Sequence, residues 1–441
     1  MSLASTASGL LTQTSGYRYA AQAFGEEETV AAYLVFESAL AEVEGALGII
    51  PAAAVAPIVD ACRPENINLD ELRKASAIVG YPIAPLVSML ASRAGASGQW
   101  VHYGATTQDV MDTAQVLQVR EVLRTALAGI SRIEVHLRKL CDLHRRTLMA
   151  GRSKLQHGVP ITFGYKVATW LDQICRTRTS LARSLDDASV LQFGGAVGTL
   201  ASLRTQGMAV RTRLAGRLSL AEPDISWHVS RDRMTALASS VSAQLAALAK
   251  IAVDVAHLMS TEVGELFEPA AAGRGSSSTM PQKRNPVICE AIIEAARSVQ
   301  HVPGILLGAM LQEHERGIGH AYRERAALSD AVLQLAGAID LSEELLAGLE
   351  VDAGRMTRNL QTTNGLIYAE AIMIHLSGHI GRIEAHRVLH EASHAVKDGR
   401  AFDVVLRNMT GVDLPPDLLH GGHQFDASNE RCRVTALVTP V

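Results

Sequence analysis

Residues 273–286 combine flexible hydroxyl groups with fixed cationic and amide donors, and read Gly-Arg-Gly-Ser-Ser-Ser-Thr-Met-Pro-Gln-Lys-Arg-Asn-Pro. The two glycines open backbone angles that are closed to other residues, whereas Pro281 and Pro286 stiffen the second half. Lys283 and Asn285 offer an ammonium group and an amide to a carboxylate or phosphate. A mobile serine that faces a fixed cation suits proton abstraction beside a carboxylate, where developing negative charge must be stabilised. The alternative is a flexible Gly/Ser surface linker.

A second polar cluster precedes the first long apolar run. Residues 102–114 read His-Tyr-Gly-Ala-Thr-Thr-Gln-Asp-Val-Met-Asp-Thr-Ala. Hydroxyl and amide groups at a helix N-terminus are suited to binding an anion. Threonine and aspartate are also ordinary capping residues, so the alternative is a plain helix cap formed by Thr107 or Asp109.

A third polar run, residues 151–162, precedes another long apolar segment and reads Gly-Arg-Ser-Lys-Leu-Gln-His-Gly-Val-Pro-Ile-Thr. So many polar residues would be unusual in a core but are ordinary in a surface turn. The residues alone leave a binding site and a surface turn equally open.

These three runs together resemble the class II fumarase/aspartase superfamily. The order Ser-Ser-x-Met-Pro-x-Lys-x-Asn-Pro over 277–286 resembles its signature loop, and 102–107 resemble its first shared region in the His-x-Gly-Ala-Thr-Ser version. Residues 151–162 resemble its second region through Gln156, Pro160 and Thr162. Further stretches are similar to bacterial 3-carboxy-cis,cis-muconate cycloisomerases, namely 191–200, 227–228, 231–233 and 312–316. The resemblance runs from about residue 24 to beyond 360.

The resemblance implies roles for individual residues. Ser277 is the expected catalytic base and Ser278 a second hydroxyl, while Lys283 and Asn285 bind the carboxylate that becomes an aci-carboxylate dianion. His157 fits the Leu-Gln-His pattern of the cycloisomerases and is a further catalytic candidate. The other implied substrate-binding residues are His102, Thr106, Thr107, Gln108, Gln156, Arg233, Arg316 and Arg325. Neither a metal nor an organic cofactor is expected.

Three residues depart from the cycloisomerase pattern. Lys154 stands where fumarase carries a histidine, and Glu290 stands where fumarase has the glutamate paired with that histidine. Both are catalytic candidates, and whether they form a pair stays open. Arg325 resembles the Glu-Arg of adenylosuccinate lyase. Because an added cation and an added carboxylate change which substrate fits a pocket, these departures bear on the substrate more than on the scaffold.

The implied reaction is a reversible addition or elimination across a carbon–carbon double bond next to a carboxylate. The leading interpretation is closure of a carboxymuconate-type tricarboxylate to a muconolactone. The alternative is a fumarate-releasing lyase acting on a substituted succinate, such as an amino-, nitro- or adenylosuccinate. A third interpretation is non-catalytic structural use of the same scaffold, as in a lens protein, against which the intact Ser277, Lys283 and Asn285 argue.

Composition narrows the class of protein. The 441 residues are 48% hydrophobic with a net charge of −4, which allows a large core and gives no basic footprint for nucleic acid. Five cysteines without a CxxC pattern argue for a reducing compartment and against a zinc site. We find neither a signal-peptide pattern nor a membrane span, so a cytoplasmic protein is expected.

Apolar residues at helical spacing predict an all-α fold. An irregular arm to about residue 25 and a helix over 26–47 are followed by short helices over 51–100. Longer helical patterns cover 113–146, 163–190, 231–267, 287–297 and 326–349. We therefore predict helical domains over 1–104, 105–350 and 351–441, the second being a long-helix bundle. The resemblance adds a homotetramer with a twenty-helix core, in which each active site is built from three chains.

Overall fold

Long α-helices dominate the computed structural model, which describes residues 9–319, 321–396 and 400–419 together with 426, 428, 429, 431 and 433. The fold is all-α, as predicted. The sequence favours this outcome because its long Ala- and Leu-rich runs lack proline and place apolar residues on one helical face.

Helices of 4 to 21 residues make up most of the described part of the first hundred residues. Three glutamates in the first turn of α3 suit the positive end of the helix dipole. The predicted helix over 26–47 and the short helices over 51–100 are confirmed. The helices are α1 (Gly9–Thr12), α2 (Ser15–Ala23), α3 (Glu26–Ala46), α4 (Ala52–Ala61), α5 (Leu69–Val79) and α6 (Ile83–Arg93), followed by a 3-10 helix at Gly95–Trp100.

The prediction of an irregular arm to residue 25 is wrong for its described part. Thr14 caps α2 by accepting a hydrogen bond from the Tyr17 backbone N–H, and Leu11 and Ala20 are buried. Asp340 accepts hydrogen bonds from the Ser15 hydroxyl and from the Gly16 N–H, at 2.8 and 2.7 Å. A short helix of this kind is fixed by tertiary contacts that local sequence does not reveal.

The long helices follow at the predicted places with shifted ends. The pattern over 231–267 ends early, because the chain leaves the helix at Leu258 and enters a strand. The predicted helices are α7 (Thr107–Leu143), α8 (Phe163–Ala188), α10 (Asp232–Leu258), α11 (Val287–Ser298) and α13 (Ala321–Ala347). Two shorter helices that the sequence did not predict lie between them, α9 (Gly207–Arg217) and α12 (Val302–Ala309).

Shorter helices complete the described chain. Ile372, Leu376, Phe402 and Leu406 form a buried apolar cluster among them. The helices are α14 (Ala353–Gln361), α15 (Ala369–Ile380), α16 (Arg382–Val396), α17 (Phe402–Thr410) and α18 (Pro416–Leu419).

Two small antiparallel pairs interrupt the helices. Strands β1 (Leu148–Ser153) and β2 (Gln156–Thr162) form a hairpin with Leu148 opposite Thr162 and Ser153 opposite Gln156. Strands β3 (Leu266–Phe267) and β4 (Glu350–Val351) form the second pair. The sequence did not predict the hairpin, because its two-residue turn is Lys-Leu and not a glycine- or asparagine-containing pair.

The described residues fall into two compact units. The first unit contains those of Met1–Gly129, Thr177–Ala246 and Glu294–Asp340, and the second contains those of Ile130–Arg176, Ala247–Ile293 and Leu341–Val441. The helices α7, α8, α10, α11 and α13 contribute residues to both. The division of the chain into three domains stays a prediction.

Helix α10 is the one described helix that is long and apolar enough to cross a bilayer by length and composition. However, 61% of its most apolar window is buried inside the protein. Its hydrophobicity therefore serves internal packing.

Glu44 is a fully buried acid on α3. Within the described residues, neither oxygen of its carboxyl group has a hydrogen-bond partner. Burial, together with the nearby charge of Glu37, raises the pKa of Glu44 from 4.5 to about 9. Since the folded pKa lies above the unfolded one, folding takes up a proton between these values, and stability falls as pH rises through that range.

Replacing this acid should flatten the dependence of stability on pH. Between pH 5.5 and 8.5, we expect the free energy of unfolding of Glu44→Gln to gain roughly 1–3 kcal/mol relative to the original protein. Urea denaturation followed by circular dichroism measures this difference. Glu27→Gln, at an exposed position of the same helix, is the control and should show no such trend. Parallel pH curves for Glu44→Gln and the original protein would contradict the assignment.

Candidate active site

The turn before α7 is held by one buried carboxylate. Asp109, in the first turn of α7, accepts a hydrogen bond from the backbone N–H of Thr106 at 3.0 Å. It also accepts from the N–H groups of Gly194 and Gly195 at 3.0 and 2.9 Å. The His228 Nε2 lies 2.7 Å from the same carboxylate. The capping role considered for Asp109 is therefore correct but incomplete, because this residue also joins the turn to a glycine-rich segment.

A cavity of ≈ 290 Å³ opens beside this turn in the first unit. Five of the predicted substrate-binding residues line its wall, and two stacked tyrosines with ring centroids 5.7 Å apart also border it. The residues are Thr106, Thr107, Gln108, Arg316, Arg325, Tyr81 and Tyr322. The structure thus brings together side chains that are more than 200 positions apart in the chain.

Gln108 and Arg316 already have protein partners. Both donors of the Gln108 amide are used, since its Nε2 lies 3.0 Å from an Asp112 oxygen and 2.9 Å from the His228 carbonyl. Arg316 donates to the Thr106 hydroxyl at 3.4 Å and to the Ala196 carbonyl at 2.9 Å. Arg316 thereby ties the far wall of the cavity to the turn, and the turn's hydroxyls are better placed than Gln108 to donate to a carboxylate.

A buried charge network supports the cavity. The Asp112 carboxylate lies 2.8 Å from an Arg231 nitrogen and 2.6 Å from an Arg325 nitrogen. Arg231 also pairs with Glu324 at 2.7 Å. Burial alone would raise the pKa of Asp112, but the two guanidinium groups outweigh it and hold that pKa well below its usual range. Arg325 lines the cavity, and its buried Nε has no partner within the described residues.

Two predicted residues occupy other places. Arg233 is half-buried and is not part of this cavity wall, whereas Arg231, two positions earlier, lines it. The His102 ring bonds to Glu37 on α3. The sequence analysis did not name four residues of this region as functional: Glu37, Asp112, Arg231 and Glu324. Asp112 could have been found as a charged residue within the apolar face of a predicted helix.

In the second unit, the loop at residues 273–286, hereafter the serine loop, is fixed at its two ends. Glu268 accepts hydrogen bonds from the Ile288 and Cys289 N–H groups at 3.1 and 2.7 Å, and so caps α11. The Asn285 side chain donates to the Gly275 carbonyl at 3.0 Å. Gly275 has a φ of 64°, and a Cβ there would lie 2.5 Å from the Asn285 carbonyl oxygen, so only glycine fits.

Ser277 lies between these anchors and is half-buried. Its Oγ accepts hydrogen bonds from the backbone N–H groups of Thr279 and Met280, at 3.3 and 3.1 Å. Two donors directed at one hydroxyl oxygen stabilise negative charge on it and favour the alkoxide. Ser278 is exposed.

A cavity of ≈ 670 Å³ in the second unit is lined by Lys283 and Asn285. The neighbouring cations are occupied: Arg284 pairs with Glu350, and Arg355 donates to the carbonyls of residues 261–263. Among the residues that the structure describes, Lys283 makes no ion pair and is exposed. Its ammonium group is the cation available to an incoming carboxylate.

The hairpin carries the remaining candidates at its tip. Lys154 and Leu155 have φ angles of 53° and 66°, in the left-handed region that non-glycine residues rarely adopt. Lys154, Gln156 and Glu290 are exposed, and in the described chain Lys154 and Glu290 form no ion pair with each other. Strain at a turn of this kind points to a functional constraint on its side chains.

His157 is the half-buried candidate of the hairpin. Its Nδ1 is buried and has no hydrogen-bond partner within the described residues. Burial and then the Arg152 charge lower the pKa of His157, while Glu265 acts in the opposite direction. The imidazole is therefore neutral at neutral pH and can accept a proton.

The described residues contain no group of three or more His, Cys, Asp or Glu side chains placed to hold a metal ion. The groups that line the two cavities are mainly cations, hydroxyls and amides. Such groups suit anionic substrates.

Comparison with known proteins settles the family. A family model described as lyase matches residues 19–301. The chain belongs to the class II fumarase/aspartase superfamily. As a member of this superfamily it is an enzyme of the lyase and cycloisomerase type.

Relatives in this superfamily differ in their reactions. The 3-carboxy-cis,cis-muconate cycloisomerase of Pseudomonas aeruginosa is 42% identical over 87% of this chain and 84% of its own. The nitrosuccinate lyase of Streptomyces davaonensis is 38% identical over 92% of this chain and 90% of its own. The crystal structure of 3-carboxy-cis,cis-muconate lactonizing enzyme from Pseudomonas putida matches with a TM-score of 0.88 and 35% identity, over 95% of this chain and 96% of that one. The predicted superfamily is confirmed.

The charge network beneath the first cavity should be essential to folding. Asp112→Asn leaves Arg231 and Arg325 buried with an incomplete partner, and we expect a loss of about 3–5 kcal/mol in the free energy of unfolding. Asp142→Asn, on the same helix, removes only an exposed pair with Arg145 and should cost below about 0.5 kcal/mol. Urea denaturation of both variants measures the contrast, and equal losses would rule out the network's structural role.

Proposed function

We propose that this enzyme interconverts a 3-carboxy-cis,cis-muconate-type tricarboxylate and its muconolactone. The observation that carries the proposal is that the Ser277 hydroxyl oxygen accepts hydrogen bonds from two backbone N–H groups. The same loop carries Lys283, which is exposed and forms no ion pair within the described residues. The 42% identity to the cycloisomerase of Pseudomonas aeruginosa over most of both chains supports the choice of substrate.

In the ring-opening direction, the Ser277 alkoxide removes the proton alpha to a carboxylate. The electron pair of the broken C–H bond passes into that carboxylate as an aci-carboxylate dianion, which Lys283, Asn285 and Thr107 stabilise. The electrons then return, a double bond forms, and the lactone C–O bond breaks to release a carboxylate. Ring closure runs through the same steps in reverse, with the Ser277 hydroxyl as proton donor.

A serine hydroxyl is a weak base, and the surroundings of Ser277 compensate for this by stabilising its alkoxide form. The N–H groups of Thr279 and Met280 stabilise the alkoxide, and the nearby Lys283 ammonium adds a cationic field. Closure of the loop over the substrate would exclude water and strengthen both effects. Ser278, Lys154, Glu290 and His157 remain candidates for the group that handles the leaving carboxylate.

We further propose a cytoplasmic homotetramer with a twenty-helix core. Each site would combine the 102–108 turn of one chain, the hairpin tip of a second and the serine loop of a third, with His102, Gln156 and Arg233 as additional contacts. Exposed apolar side chains on the long helices support this assembly, among them Val135 and Leu143 on α7, which are 62% and 67% exposed. Packing against other copies would bury them.

A second candidate is a fumarate-releasing lyase acting on a substituted succinate. The specific observation is Arg325, which lines the first cavity and adds a cation there for a third anionic or nitro group. The 38% identity to a nitrosuccinate lyase supports this alternative. Ser277 would again remove the alpha proton, and the C–N bond would break in place of the C–O bond.

Ultraviolet spectroscopy separates the two candidates. We expect the purified enzyme to remove the diene absorbance of 3-carboxy-cis,cis-muconate, and to leave aspartate, nitrosuccinate and adenylosuccinate unchanged. Fumarate absorbance growing from one succinate, with the muconate unchanged, would establish the lyase. Tight binding without turnover of any of these compounds would favour the non-catalytic interpretation.

The base assignment is tested by two neighbouring serines. Ser277→Ala should lower kcat by roughly 100-fold or more, because the proton-transfer group is lost. The control is Ser276→Ala, because the Ser276 hydroxyl donates to the Gly273 carbonyl and should leave the rate within about twofold. Full turnover by Ser277→Ala would remove this serine from the mechanism.

A further inference from the structure

We propose that Glu37 is a positioning residue that holds the carboxylate-binding turn at 102–107 through an ion pair with His102. The inference rests on the proposed function only in assigning a carboxylate to that turn. Glu37 touches neither cavity wall, so its effect on substrate is indirect.

The contact is short and buried. Glu37 lies on α3 with a side chain that is 1% exposed, and its Oε1 is 2.6 Å from the His102 Nδ1. Within the described residues, the other oxygen of Glu37 is buried and has no partner. The Glu37 carboxylate therefore depends on His102 as its hydrogen-bond and charge partner. Removing either partner leaves the other group buried and unpaired, which costs free energy.

The backbone that this contact holds is strained. His102 has a φ of 60° and Gly104 a φ of 74°, and the Ala105 N–H reaches the His102 carbonyl at 3.3 Å. A left-handed non-glycine residue persists only where its surroundings fix it. Glu37 fixes the beginning of the turn, while Asp109 fixes its end at Thr106.

The charge state of the pair is set by its neighbours. Burial lowers the pKa of His102, but the charge and hydrogen bond of Glu37, with a smaller effect of Asp109, raise it above its ordinary value. The other titratable groups beside Glu37 are the Cys62 thiol, with a pKa of about 12, and Glu44, with a pKa of about 9. Both are uncharged at neutral pH, so the His102 imidazolium is the cation that faces Glu37.

A change of pH should therefore alter the stability of the 102–107 turn through the protonation of His102. When His102 loses its proton, the hydrogen bond to Glu37 loses its ionic character and the strained turn loosens. Binding of a carboxylate at Thr106 and Thr107 should weaken as pH rises through the raised pKa of His102. Glu37→Gln keeps the shape of the side chain but removes the charge, so the weakening should move to lower pH.

Isothermal titration calorimetry with tricarballylate, an unreactive tricarboxylate, tests the inference on the full-length protein. At pH 6.5 we expect Glu37→Gln to bind about tenfold more weakly, because the turn is misplaced. Glu44→Gln, at an equally buried position of the same helix, should bind like the original protein. His102→Asn should reproduce the loss, and the double variant with Glu37→Gln should be no weaker than either single variant.

Two outcomes would overturn the inference: unchanged binding and pH dependence in Glu37→Gln, or additive losses in the double variant. If Glu37→Gln does not fold, His102→Asn alone decides, because an unchanged affinity in that variant also overturns it. Failure of the muconate assay with the calorimetric pattern intact would contradict the proposed function and leave this inference standing. Turnover of the muconate with unchanged binding in both variants would contradict this inference and leave the proposed function standing.

Discussion

The turn that borders the cavity of the first unit depends on the buried carboxylate of Asp109. A carboxylate accepts hydrogen bonds and cannot remain unpaired away from water, so every segment that reaches it must present an N–H group. The turn at Thr106 and the glycines at 194 and 195 do so through their backbones, and His228 does so through its ring. Because backbone groups carry no side-chain freedom, these segments are locked at fixed distances from one another.

The serine loop of the second unit is built on the opposite principle. Glu268 and Asn285 hold its ends, whereas the Ser277 hydroxyl accepts its hydrogen bonds from Thr279 and Met280, which follow two and three positions later in the chain. Contacts this local move together with the loop and therefore do not resist its motion. In the proposed reaction, a rigid turn would bind the carboxylate, and a mobile segment would transfer the proton through an oxygen that keeps its donors while it moves.

The sequence predicted the long helices well, because their apolar periodicity extends over several turns and tertiary contacts only shift the ends. It also predicted five residues of the first cavity wall through the shared motifs. It selected Arg233, whereas Arg231 is the arginine that lines the first cavity, because the sequence does not show in which direction each side chain points. Glu37 also escaped, because its partner lies 65 positions away and no local pattern joins them. The hairpin at 148–162 was missed because Lys-Leu is a poor turn sequence.

The Lys154-Leu155 turn matters for protein engineering. Asn-Gly at positions 154 and 155 would relieve two left-handed side chains, and stability-guided redesign would select it early. The same change would erase Lys154, a candidate catalytic residue, together with a leucine that is 77% exposed. If Lys154 has the catalytic role proposed for it, thermostability and activity make opposite demands on this tip, and libraries that aim to change selectivity should vary it first.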